Sequence, residues 1–303
     1  MKNGGYRCFL PTGISEEKEV YGYIKEWVWV QTEDVVPAEI RNRTGDCRGF
    51  LRGVPIIWIE DEITRVLNPF WVPVQWKDFL HCVEPGAPMR SLEPSLARAL
   101  SWAGAVDRAR ERESASGITI SEISRASAEF REYGFTKVSG LLHPGQLSRL
   151  RGHFRHLTED AKGEFVWTGK SQYTWHNEPV MRYFLLQLTS FIGQIAGHPV
   201  MPSYSFFTGY TDGAVLPSHT DRAQCEITVS LLTDFVAPPE VKSGWPIAIN
   251  GASGTSYVTQ ELGDAIILKG RRLKHWRERL PARHRSHSML FHYVHEYFTL
   301  NLR

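Results

Sequence analysis

The apolar positions change their period along the chain, and the changes divide it. From Tyr21 to about Cys82, aromatic and β-branched residues come in short runs, such as Trp27-Val28-Trp29-Val30 and Val54-Pro55-Ile56-Ile57-Trp58-Ile59, broken by Gly and Pro. This pattern predicts a small β-containing region. A turn at Glu84-Pro85-Gly86-Ala87-Pro88 leads to a helix near Leu96 to Ala105, and the charged, small-residue run Asp107 to Gly117 marks a domain boundary. Beyond it the period becomes helical. Thr119-x-x-Glu122 has the form of a capping box that opens a helix through Phe130, stopped at Gly134, and Phe135 to Val138 reads as a short strand.

Pro144 suits a first helical turn, and Leu147, Leu150, Phe154 and Leu157 follow at helical spacing, which leaves His153 and His156 on a solvated face. One helix is expected from Pro179 to about Ala196, with Val180, Phe184, Leu188, Ile192 and Ile195 on one stripe and Gly197 as the stop. The remainder alternates. Strands are expected at Ser203 to Tyr210, Glu226 to Thr233, Trp245 to Ile249, Ser256 to Thr259, Ala265 to Leu268 and Ser288 to Val294. Short strands after helices predict a β-sandwich with a helical flank. The expected division is a Trp-rich N-terminal α+β accessory domain over 1–115 and a mainly β domain with flanking helices over 116–303.

Composition narrows the function classes. A chain of 303 residues, 42% hydrophobic, can bury the cores of two modest domains. A net charge of +2, from 35 basic against 33 acidic residues, gives no broad field for nucleic acid or an anionic membrane, so neither is an expected partner. Apolar stretches such as Val54 to Ile59 and Tyr183 to Leu186 are too short to span a bilayer, and Met-Lys-Asn-Gly-Gly-Tyr has no signal-peptide apolar region; a cytoplasmic protein is expected. Cys8, Cys47, Cys82 and Cys225 are scattered, which favours reduced thiols over a disulfide framework or zinc knuckle. Of the ten tryptophans, the early group Trp27, Trp29, Trp58, Trp71 and Trp76 reads mostly as buried packing, with a partner surface as the other account.

The candidate chemistry centres on His219-Thr220-Asp221. In extended backbone this spacing turns an imidazole and a carboxylate to one face, where one metal can take both. A chain with twelve histidines could also produce a solvated turn of this form after Leu216-Pro217-Ser218. Its setting, between the turn Tyr210-Thr211-Asp212-Gly213 and the alternating Ile227-Thr228-Val229-Ser230-Leu231, favours a ligand pair at a strand mouth. The third ligand is expected to be His275, placed after the run Gly263 to Gly270 and facing His219 across the sandwich. His284 lies in a basic loop, and His287, His292 and His295 lie in or beside the last strand without a turn to aim them inward.

Two histidines and one carboxylate leave three positions of an octahedral iron(II) open, enough for a bidentate 2-oxo acid and dioxygen, whereas a structural zinc would want a fourth protein ligand. The far carboxylate of such a co-substrate needs a cation of bidentate reach. Arg285 is the expected anchor and Arg283 the second candidate, with Ser288 or Tyr210 adding a hydroxyl. A solvated basic loop, containing Arg277 and Arg279 as well, is the alternative reading of these arginines.

Four stretches together resemble the 2-oxoglutarate/iron(II) dioxygenase superfamily, in its prolyl-hydroxylase-like and phytanoyl-hydroxylase-like branches. They are Phe130 to Val138 with Gly140-Leu141-Leu142, Tyr210 to Asp221, Gly263-Asp264-Ala265, and His275-Trp276-Arg277-Glu278. The resemblance covers roughly residues 120 to 298. It implies a double-stranded β-helix of jelly-roll, cupin-like form, with His219, Asp221 and His275 as ligands of Fe(II) and Arg285 as the 2-oxoglutarate anchor. The implied reaction uses O2, converts 2-oxoglutarate to succinate and carbon dioxide, and by default hydroxylates a carbon of a small molecule, amino acid or peptide. Asp221 argues against the halogenating variants, which lack that carboxylate. The family's Arg-x-Ser on the last strand has no clean counterpart, since His284-Arg285 follow Arg283 and Ser286-His287 follow Arg285.

Phe165 to Asn177 mixes aromatic and hydrogen-bonding residues and reads either as a loop over substrate or as a packed flap. The N-terminal region offers a surface for a carrier protein, a peptide or a second copy. Two other classes fit the same ligands: a zinc- or manganese-dependent hydrolase or isomerase, and a non-catalytic cupin-like binding module.

Overall fold

The β-rich runs of the first third pair as short antiparallel strands: β1 (Tyr23–Ile24), β2 (Val28–Gln31), β3 (Ile56–Glu60), β4 (Leu67–Trp71) and β5 (Val106–Asp107). The structure is a computed structural model, and it describes residues 22–33, 35–44, 55–107, 118–160, 166–167, 171–239 and 244–302. Two compact units result, one of residues 1–117 with 143–149, the other of 118–142 with 150–303. Cys8 and Cys47 lie outside the described residues; Cys82 and Cys225 are free thiols.

In the first unit β2, β3 and β4 form one sheet and β1 pairs with β5. The unit also holds α1 (Arg41–Thr44) and α2 (Pro94–Trp102). Helix α2 begins earlier than its apolar stripe suggests, because Glu93 caps it, accepting from the Leu96 amide at 2.8 Å, and Pro94 fits the first turn. Ile57, Ile59, Leu80, Leu96 and Leu100 form its core. Of the early tryptophans, Trp58 is fully buried and donates to Gln31 Oε1 at 3.0 Å, and Trp71 is buried, whereas Trp27 is exposed.

His143 is buried in this unit in a fixed tautomer. Its Nδ1 accepts from the Gly145 amide at 3.1 Å, its Nε2 donates to the Trp102 carbonyl at 2.9 Å, and its ring stands edge-on to Trp102. Burial lowers its pKa from 6.5 to about 4. The unfolded chain therefore binds the extra proton between these values, and stability falls as pH drops through that window, by about 3 kcal/mol once pH is below both. Urea unfolding followed from pH 7 to 4 is expected to show one fewer proton taken up in His143→Gln than in the wild type.

The second unit follows the expected grammar at its start. Helix α3 (Ile120–Tyr133) opens with a complete capping box: the Glu122 amide donates to Thr119 Oγ1 at 3.2 Å and the Thr119 amide to Glu122 Oε2 at 2.7 Å. Gly134 closes it at φ 81°, a conformation an L side chain resists. β6 (Phe135–Val138) follows, then α4 (Pro144–Asp160), whose first residues group with the other unit. Two departures occur among the helices. His153 is not simply solvated: its Nε2 lies 3.0 Å from Glu178 Oε1, and its side chain is mostly buried. The helix expected from Pro179 to Ala196 is two, α5 (Pro179–Gln187) and α6 (Thr189–Ala196). At the break the Leu185 carbonyl accepts from the hydroxyls of Thr189 and Tyr293, which compete with the helical ladder.

The remaining strands are β7 (Val166–Trp167), β8 (Gln172–His176), β9 (Val200–Tyr210), β10 (Leu216–His219), β11 (Ile227–Val236), β12 (Ile247–Gly251), β13 (Gly254–Val258), β14 (Ala265–Leu268), β15 (Lys274–Arg277) and β16 (Arg285–His295). They form a seven-stranded sheet, β6-β14-β11-β16-β9-β8-β7, and a four-stranded sheet, β10-β15-β12-β13, antiparallel throughout. Ile247 and Ile249 of the small sheet pack with Ile266 and Leu268 of the large one. The stretch read as a loop or flap is thus partly sheet, as β7 and β8; residues 161–165 and 168–170 lie outside the described ones. Among the described residues no helix is long and apolar enough to cross a membrane.

Candidate metal centre

β10 and β15 carry the candidate histidines. Both strands escape the alternation pattern, since neither Leu216-Pro217-Ser218-His219 nor Lys274-His275-Trp276-Arg277 alternates apolar with polar residues, and pairing makes them strands, β10 with β15 and β15 also with β12. In that pairing His219 and His275 are direct cross-strand partners. The expectation that His275 faces His219 across the sandwich is therefore corrected: they are neighbours in one sheet, with ring centroids 4.3 Å apart.

Each ring is oriented by its own backbone. His219 Nδ1 donates to the Pro217 carbonyl at 2.8 Å and His275 Nδ1 to the Leu273 carbonyl at 3.0 Å. A carbonyl can only accept, so both Nδ1 atoms carry the proton and both Nε2 lone pairs are free for a metal. Asp221 completes the group, with Oδ1 at 3.6 Å from each Nε2. These three residues are the one cluster of metal-ligand type among the described residues, with ligand atoms within 4.8 Å of one another.

Asp221 sits beyond the end of β10, in a tightly built pocket. Its amide donates to the Gly270 carbonyl at 2.9 Å, and Thr228 Oγ1 donates to its Oδ2 at 2.5 Å. His292 Nδ1 in turn lies 3.1 Å from Thr228 Oγ1, making a relay from imidazole to hydroxyl to carboxylate. Burial works to raise the Asp221 pKa, but the contacts from His219, His275 and Thr228 outweigh it and hold the carboxyl down at about 2. The same carboxylate raises His219, while burial lowers His275. The last-strand histidines also need correction. Ser288, Leu290 and His292 project into the cavity by the period of two of β16, so no turn is needed to aim His292 inward.

The three candidate ligands open on a cavity of about 380 Å³. At one end stand Tyr210, Ser288 and Arg277, so two of the three residues expected to meet a co-substrate line it. Arg285 does not. It lies three positions before Ser288 and hence on the opposite face of β16, exposed, where its charge is felt by Tyr173 and His287. That face is already occupied: Tyr173 Oη lies 2.7 Å from His287 Nε2, and Arg155 holds Asp234 through Nε at 2.6 Å and Nη2 at 2.8 Å. Arg283 is exposed too and sits in a left-handed turn at φ 63°.

The arginine that does line the cavity at that end is Arg277. It is 5% exposed, donates to the Trp245 carbonyl and, at 2.9 Å, to Gln260 Oε1, and lies 5.1 Å over the Trp245 ring. Burial lowers its pKa to about 10. No carboxylate pairs with it among the described residues, and a buried guanidinium without a counter-ion is costly unless an anion arrives. The sequence held a signal for it. His275 and Arg277 are two apart, and once Lys274–Arg277 is a strand, both must share a face.

No protein-family description matches the sequence, and no curated protein matches it either. The fold does have solved counterparts. The non-heme α-ketoglutarate-dependent epimerase SnoN from nogalamycin biosynthesis superposes with a TM-score of 0.50 at 16% identity, over 58% of this chain and 82% of that one. SnoN in complex with Fe3+, α-ketoglutarate and nogalamycin RO gives 0.50 at 15% identity, over 58% and 85%. The second unit therefore has the jelly-roll fold found in 2-oxoglutarate/iron(II)-dependent oxygenases. The resemblance read from His-x-Asp, Gly-Asp-Ala and His275 implies the same fold.

Proposed function

We propose that this chain is a 2-oxoglutarate- and iron(II)-dependent oxygenase acting on a carbon of a small molecule, amino acid or peptide, with hydroxylation as the default outcome. The observation that carries the reading is the pairing of one carboxylate and two free Nε2 atoms with a buried, acid-free Arg277 in the same cavity. His219 Nε2, Asp221 Oδ1 and His275 Nε2 would hold the iron. Three protein ligands leave room for a chelating 2-oxo acid and for dioxygen. Arg277 would take the far carboxylate of 2-oxoglutarate, with the Tyr210 and Ser288 hydroxyls beside it.

When bound, iron and 2-oxoglutarate together with dioxygen would supply an oxidant, as dioxygen oxidatively decarboxylates 2-oxoglutarate to succinate and carbon dioxide. The residues of the chain have other tasks. Thr228 and the Gly270 carbonyl fix the Asp221 plane, the Pro217 and Leu273 carbonyls fix the imidazoles, and Arg277 sets the register of the co-substrate. The fold shared with SnoN, described as α-ketoglutarate-dependent, agrees with this reading.

Anaerobic addition of iron(II) and 2-oxoglutarate is expected to produce a weak visible charge-transfer band that needs both components. Absence of the band, with zinc held in a closed four-ligand site, would sink the proposal in favour of a structural or hydrolytic metal.

A further inference from the structure

The cavity is lined by a second cation besides Arg277. Arg222 follows the candidate ligand Asp221 directly and lines the cavity beside Tyr204, whereas Arg277 stands by Tyr210. Tyr204 and Tyr210 are six positions apart on β9, about 20 Å at strand rise. The two guanidinium groups thus stand by different ends of this stretch of β9, and the three candidate ligands line the same cavity.

Arg222 is itself exposed at the cavity rim, and the wall beside it is aromatic. Its guanidinium lies 5.7 Å over the Tyr204 ring, and that ring meets His292 at 4.6 Å, Phe206 at 5.3 Å and His176 at 5.3 Å. No acidic side chain pairs with Arg222 among the described residues. The adjacent Asp221 is spoken for, Oδ1 facing the two imidazoles and Oδ2 held by Thr228. The positive field reaches into the aromatic wall, where, after burial, Arg222 helps keep His176 below its ordinary pKa. A stacked, forked cation with no protein acid, at the rim of a cavity walled by rings, suits a planar anion with an apolar body.

Building on the oxygenase reading, we propose that the substrate is a carboxylic acid. Its carboxylate pairs with Arg222, and its apolar or aromatic body lies against Tyr204 and Phe206, directed toward the three ligands.

The test uses the full chain loaded with Mn(II) and saturating 2-oxoglutarate, and reads paramagnetic line broadening of two small probes by NMR. The probes are 3-phenylpropionate and its uncharged counterpart, 3-phenylpropanamide. The acid is expected to broaden at concentrations about tenfold lower than the amide, the worth of one charge-assisted hydrogen-bonded contact. Arg222→Gln should remove that preference, and Arg222→Lys should keep part of it. Equal broadening of both probes, an undiminished preference in Arg222→Gln, or no broadening of either would overturn the inference. Uptake of Mn(II) and 2-oxoglutarate is measured first, by water-proton relaxation. Failure at that stage counts against the oxygenase reading itself, and failure only with the probes counts against the role of Arg222.

Discussion

Gly270→Ala is expected to abolish the iron and 2-oxoglutarate charge-transfer band as completely as Asp221→Ala does. The backbone of Gly270 is not left-handed, so the requirement is for space and not for conformational freedom. A Cβ there would lie far inside van der Waals contact distance of Asp221 Oδ2, 2.5 Å from Thr228 Oγ1 and 3.0 Å from Asp221 Cγ. The carboxylate has nowhere to retreat. Its own amide is tied to the Gly270 carbonyl, and the hydroxyl that holds its outer oxygen is struck by the same methyl group. The carboxylate must rotate away from the two Nε2 atoms, and a three-ligand site that loses its only carboxylate loses most of its metal affinity. Near-UV circular dichroism is expected to stay close to wild type in Asp221→Ala, which separates loss of the metal from loss of the fold. A wild-type band in Gly270→Ala would show that the close approach of Gly270 to Asp221 does not hold in solution.

Arg277→Gln is expected to weaken 2-oxoglutarate binding on the order of a hundredfold, about 3 kcal/mol for a buried charged contact, while Arg285→Ala leaves it unchanged. The contrast follows from which face of its own strand each arginine occupies. Arg277 is buried in the cavity without an acid, and Arg285 is exposed on the far side of β16. Titration of the charge-transfer band with 2-oxoglutarate at saturating iron reads both variants. Metal affinity, read separately, should change little in Arg277→Gln, since the guanidinium makes no contact with the ligand atoms. An unaffected Arg277→Gln beside a weakened Arg285→Ala would restore the anchor to the last strand.

The difference between these two arginines shows where sequence reasoning stopped. The need for a cation of bidentate reach and the family resemblance both point to Arg285 in the sequence. Whether a residue meets a cavity depends on which face of the strand it occupies, and β16 turns Ser288, Leu290 and His292 inward. In the sequence, the segment that holds Arg277 reads as part of a solvated basic loop. Its extended conformation comes from pairing with β10 and β12, contacts that are distant in sequence. Gly270 and Thr228 were equally silent, since each acts on Asp221 through space.

What the sequence by itself determined is the local part: the capping box and glycine stop of α3, the long apolar strands, and a His-x-Asp followed in order by His275 within a jelly-roll pattern. These follow from period, capping and spacing, which operate within a few residues. The tertiary structure alone decided the rest. It made polar segments into β10 and β15 and set the two histidines side by side instead of across the sandwich. It placed a glycine against the carboxylate, turned Arg277 into the cavity and left Arg285 outside it. Register and strand face are set by pairing between segments dozens of residues apart, and one step of register reverses which side chains enter the cavity.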